Sequence, residues 1–213
     1  MKSPIKELFV SAVLYLPLCF FIWFYAAPLL VLPAKYLAST VMQLWQADLF
    51  NGIEQHRFLF HVQTLIFPQD YNGQDVKLAV LDVTVNPMKY GYGLAVFAGL
   101  VVSVPDLSLK SKLLKLMIGY VVVNVIQANG VFWETCKSLL FSGGGDAFHA
   151  INDTGISHNL IAAMYQMSYL ILPAVIPIVV WVLLNKRFIE EITYVRQCSR
   201  KRKNRNVTTR KVF

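Results

Sequence analysis

Two long apolar blocks without a charged residue, residues 8–33 and 160–184, restrict this chain more than anything else in it. A bilayer core of about 30 Å is crossed by roughly 20 helical residues, and each block is long enough. Within a bilayer the backbone finds no water to bond, so such blocks must close their hydrogen bonds internally as helices. Two further runs, residues 90–104 and 113–134, are shorter or more polar, yet they complete an even number of crossings. Composition agrees, with 56% hydrophobic and 15% charged residues and a mean hydropathy of +0.50, which is unlike an ordinary soluble domain. The expected fold class is an all-α polytopic membrane protein with about four transmembrane helices.

Lys2 and Lys6 precede the first block as they would in a secretory leader. Its apolar run is too long for an h-region, however, and Ala26-Ala27 is followed by Pro28, a poor cleavage site, so the block is expected to be a retained anchor. The net charge of +8 is unevenly divided. The N-terminus (1–7), a short connection (105–112) and the tail (186–213) share one side and carry Lys2, Lys6, Lys110, Lys112 and the tail cluster, with Lys115 just beyond the connection. The other side (34–89 and 135–159) holds most of the acids, with Glu134 at its edge. By the positive-inside rule both termini are cytoplasmic.

Between the first two spans the period changes. Leu37, Val41, Leu44 and Trp45 recur at helical spacing, either as an amphipathic segment at the outer interface or as the end of a long, tilted first helix. From residue 58 to 66 apolar residues alternate with Arg57, His61 and Gln63, and residues 76–85 are rich in β-branched side chains. Asn72-Gly73 lies between them and is a turn signal. A small exported β-hairpin or sheet follows; being marginal alone, it must rest on the bundle or on a partner.

Three groups of residues stand out as candidate interaction sites. Asn86, Pro87, Lys89, Tyr90 and Tyr92 combine a turn with an aromatic and cationic anchor suited to the lipid–water boundary. Gly91, Ala95, Gly99 and Ser103 follow every four positions, a small-residue stripe that lets another helix come close, in this chain or in a partner. Tyr120, Asn124, Gln127 and Glu134 share one face of the third span. Polar groups at that depth point inward, either to bond neighbouring helices or to offer a surface to a peptide or headgroup. In the fourth span Pro173 and Pro177 put a kink on a single side, and Gly143, Gly144 and Gly145 suggest a flexible connection before it.

Chemistry is less visible. Cys136 with His149 or His158, and Arg57 or Lys137 as donor, is the one exported combination resembling a thiol site, and nothing marks it as activated. His149, Asp153 and His158 have loop spacing unlike a rigid metal motif. The apolar interiors contain no acid of the kind a proton-coupled carrier uses. No catalytic residue, metal or cofactor is expected. The tail, SRKRKNRNVTTRK from Ser199, fits anionic lipid better than nucleic acid, because a basic cytoplasmic end is ordinary for such a topology.

Three stretches carry a resemblance: LYLPLCFFIW (14–23), NPMKYGYGL (86–94) and YQMSYLILPAVIPIVVWVLLNKRFI (165–189). In these the chain resembles the exosortase H-associated membrane proteins, with Ala95 standing where that pattern suggests proline. The resemblance implies an inner-membrane accessory to an exosortase, an enzyme that sorts envelope proteins bearing a C-terminal tripartite signal. Its partner would be the exosortase or the sorted substrate. Exosortases carry their own membrane-embedded cysteine, arginine and histidine, and nothing here matches that set. A membrane hydrolase or transpeptidase using Cys136, or an envelope structural or transport component, are the competing readings.

Overall fold

Helix α5, Leu109–Ser142, is the axis of the molecule. Ser108 caps it, its Oγ accepting from Ser111 N at 3.4 Å. At 34 residues it is roughly 51 Å long, well beyond a bilayer core of about 30 Å. The computed structural model describes residues 4–67, 81–105, 107–190 and 193. Ahead of α5 lie α1 (Pro4–Leu30), α2 (Leu32–Trp45), strands β1 (Phe50–His56), β2 (Leu59–Thr64) and β3 (Asp82–Val85), the single turn α3 (Met88–Gly91), and α4 (Gly93–Ser103). After it come α6 (Gly144–Asn152), α7 (His158–Gln166), a π-helical turn at Met167–Ile171, and α8 (Leu172–Leu184).

Three helical stretches are long and apolar enough to cross a membrane: Glu7–Leu30, Leu109–Ser142 and His158–Leu184. Met88–Ser103 is apolar but shorter. It packs against α1, α5 and α8. The π turn comes directly before Pro173, which has no N–H to continue the ladder. Pro173 and Pro177 are both buried, and both touch Gly93 of α4.

The first span and α2 are separate helices, broken at Val31. A continuous helix would pair Ala34 N–H with Leu30 C=O. Here Ala34 N donates to Asn124 Oδ1 at 3.0 Å, and Leu30 O accepts from the Tyr120 hydroxyl at 3.2 Å. Both halves of the opened bond are thus satisfied by α5, as buried backbone groups require. Helix α2 buries Ala34, Ala38 and Met42, small or pliable residues that admit close contact with α5. Its periodic apolar residues Leu37, Val41 and Leu44 face away from the protein.

The sheet is antiparallel with order β1-β2-β3. The pairing of β2 with β3, Phe60 opposite Val85 and Val62 opposite Val83, joins the two runs that alternate or are β-branched in sequence. Asn72-Gly73 lies outside the described residues. Strand β1 corrects the simple hairpin: it pairs with β2 through a two-residue turn at Arg57 and Phe58. Arg57 has φ 59°, the left-handed value that the first position of a II′-type hairpin turn needs. Arg57→Gly should therefore raise stability by about 0.5–1 kcal/mol, read as a higher thermal midpoint.

Phe60, Val62, Val85, Met42, Val131, Leu139, Ala147, Ile151 and Ile161 form one core, which lies beside the C-terminal half of α5. The connection expected to be flexible is largely helix. Ala147 and Ile151, one turn apart on α6, are fully buried in this core, and the corners at Gly144, φ 85°, and Gly155, φ 75°, use a glycine backbone. The other half of the molecule has little core and exposes Phe9, Leu14, Phe21, Leu113, Leu114 and Leu183.

Candidate functional site

The polar face of α5 meets two corners of the chain. At the lower one, Tyr120 and Asn124 hold the α1–α2 break, and Asn124 Nδ2 also donates to Tyr120 O at 2.9 Å. At the upper one, Gln127 Nε2 donates to Pro87 O at 3.2 Å. Asn86 Oδ1 accepts from Met88 N at 3.0 Å, which closes the turn into α3. Glu134 then takes both following residues: Lys89 Nζ pairs with Oε1, and the Tyr90 hydroxyl donates to Oε2 at 2.6 Å. Tyr90 is fully buried, and Gly130 makes room for its ring. Residues Tyr120, Asn124, Gln127 and Glu134 are thereby used inside the chain, as bonds between elements.

Around this pair is an aromatic surround. The Tyr90 ring meets Tyr169 at 6.4 Å, and Tyr169 stacks on Tyr165 at 6.0 Å. Lys137 Nζ lies 5.3 Å from the centre of the Tyr165 ring, in cation–π range. Two ammonium groups, one carboxylate and three tyrosines thus gather where α3, α5 and α7 meet. One turn lower, Asn129 Nδ2 donates to Ser168 Oγ at 2.7 Å and its Oδ1 accepts from Trp133 Nε1 at 3.2 Å. Ser168 Oγ, in the π turn, in turn donates to Met164 O of α7 at 2.7 Å.

The small-residue stripe, which runs from Gly91 of α3 into α4, has two neighbours. Gly91 lies against the Gln127 side chain of α5, while Gly99 lies against Leu16 of α1, where a Cβ would fall 2.7 Å from Leu16 Cδ2. Ala95 is buried, and Ser103 Oγ donates to Gly99 O at 2.6 Å. The stripe is a seam within the chain. Gly99→Leu should prise α1 from α4 at a cost of about 1–3 kcal/mol, read as a lower thermal midpoint in detergent. Gly93 was not marked by the four-residue spacing, because it stands on the opposite face; a second glycine two residues after Gly91 is the signal that pointed to it.

Cys136 is fully buried in the core. Arg57 turns the β1–β2 hairpin, and His149 and His158 both make ring contacts with Phe148. Among the described residues, no three His, Cys, Asp or Glu side chains gather as metal ligands do. Lys89 and Tyr92 keep some exposure.

A family model described as exosortase H-associated membrane protein matches residues 2–188, a stretch that takes in every element from α1 to α8. No curated protein and no solved structure gives a match.

Proposed function

We propose a function from one premise: this chain belongs to the exosortase H-associated membrane protein family. It acts as a non-catalytic accessory subunit that binds the exosortase, or the C-terminal segment of the protein being sorted. The family match along the whole helical bundle is the observation that carries this reading. Two features support it. The polar side chains at membrane depth bond within the chain, and Cys136, the one exported thiol on this topology, is buried away from any substrate.

Four crossings give the most consistent topology. Helices α1 and α5 both run from the basic end toward the sheet, so the return from Asn86 to the α5 cap must be made by α3 and α4. The short length of Met88–Ser103 is tolerable because α1, α5 and α8 surround it. With the basic ends cytoplasmic, the sheet, α6 and the Lys89–Glu134 pair lie on the exported side of the inner membrane. The tail beyond Arg196 lies outside the described residues; its part in this reading is a contact with anionic lipid.

Helix α1 is the face we assign to the partner. Its main packing neighbour is α4, and between it and α5 lies an apolar recess of about 450 Å³ lined by Cys19, Trp23, Leu94, Ala98, Met117 and Tyr120. A transmembrane helix of the exosortase would enter there. Cys19 is a natural probe, and a thiol-reactive crosslinker on it should capture the exosortase when both are co-expressed. Recovery of each protein alone from mild detergent, with no crosslink, would overturn the proposal. Retention of sorting by Cys136→Ser would remove the hydrolase alternative.

A further inference from the structure

Between residues 116 and 133, helix α5 has no charged side chain. Those 18 residues span roughly 27 Å, close to the hydrocarbon thickness of a bilayer. Lys115 and Glu134 bracket the run, so Lys115 lies at headgroup level on the side opposite the sheet. There, where the start of α5 meets the end of α8, a recess of about 450 Å³ is lined by Ser111, Lys115, Asn185, Lys186, Arg187 and neighbouring leucine and phenylalanine side chains. Among the described residues that line it, three are cationic and none is acidic.

The recess is built. Asn185 is almost fully buried and ends α8. Its Nδ2 donates to Trp181 O at 2.8 Å, which turns Oδ1 toward Lys115 Nζ at 2.7 Å. One of the three ammonium donors is thereby used and two remain. Lys112 of the same turn is engaged elsewhere, donating to Val102 O at 2.8 Å. Leu183, Leu184 and Phe188 supply an apolar lining beside the cations, the pairing of surfaces that a lipid presents where phosphate meets acyl chain. Glu190, one turn beyond Lys186, does not line it.

We propose that this recess binds the phosphate of an anionic phospholipid headgroup, with Lys115, Lys186 and Arg187 as its cationic ligands and the leucine and phenylalanine side chains against the upper acyl chains. Basic pockets between helix ends are a known form of headgroup site. The inference rests on reading α5 and α8 as membrane spans and is independent of the exosortase.

The full chain, held in phosphatidylcholine nanodiscs, would be titrated with phosphatidylglycerol and followed by bound-lipid mass spectrometry and thermal midpoint. Phosphatidylglycerol should be retained and should raise the midpoint. Arg187→Ala with Lys186→Ala, at exposed positions that leave the bundle intact, should weaken retention roughly tenfold, as loss of charge-assisted hydrogen bonds does. Lys115→Gln, which can still bond Asn185, should do the same without unfolding the protein. Neutral replacements of Lys201, Arg202 and Lys203 should leave retention unchanged. Equal retention by the recess variants, or loss confined to the tail variant, would overturn the site. Equal protection by inorganic phosphate, with no further effect of the lipid, would assign it to a free anion and overturn the lipid.

Discussion

Glu134→Ala should lower the stability of the solubilised protein by about 2–4 kcal/mol. Removing one partner of a buried ion pair costs about 3–5 kcal/mol because the other charge is left without compensation. Lys89 is one-third exposed while Glu134 is nearly buried, so some of that cost is recovered by solvent. Tyr90→Phe removes only the hydroxyl donated to Oε2 and should cost about 1–2 kcal/mol. In a double-mutant cycle, Lys89→Ala should add little to Glu134→Ala, since the two act as a unit. Additive losses would show that the pair is not coupled. The measurement is a denaturation curve in one detergent for all four proteins.

Gly93→Ala should be as damaging, and Gly91→Ala should be mild. A Cβ on Gly93 would overlap the Pro173 carbonyl oxygen and the Pro177 ring. The first is backbone and the second is rigid, so neither can retreat, and α4 must separate from α8. The cost should be about 2–3 kcal/mol, the upper part of the range for overpacking. At Gly91 the obstacle is the amide end of Gln127, which can swing aside. Only its bond to Pro87 O is lost, about 1 kcal/mol. Equal effects at the two positions would contradict the close passage of α4 against the prolines.

Three helices long and apolar enough to cross a membrane were legible in sequence because long charge-free apolar runs have few other uses. The length of α5 was not. After Glu134 come Lys137 and Ser138, which read as an exit from the membrane, although the helix continues to Ser142 under the sheet. Strand β1, FNGIEQH, escaped notice because Asn51, Gly52 and Gln55 hide its alternation and its register shifts between Phe50 and Gly52.

The stripe across α3 and α4 shows a different limit. Residues four apart on a helix drift by about 40° per step, so a stripe of four turns through about 120°. Gly91 consequently meets α5 while Gly99 meets α1. Spacing revealed a close approach and could not reveal to what. On α5 the offsets of zero, four, seven and fourteen stay within a narrower arc, which is why Tyr120 through Glu134 group on one face. Their partners, two corners far away in sequence, depended on the tertiary fold.

The break between α1 and α2 also carries a consequence for the order in which the chain is assembled. Ala34 N–H and Leu30 C=O find their partners on residues 90 positions later. At translation rates of about 5–20 residues per second, that separation amounts to roughly 5–20 s. Until α5 is made, those two groups have no protein partners but each other, so the newborn segment favours one continuous helix. The corner that lets the sheet fold back over the bundle is therefore set late, by the arrival of Tyr120 and Asn124.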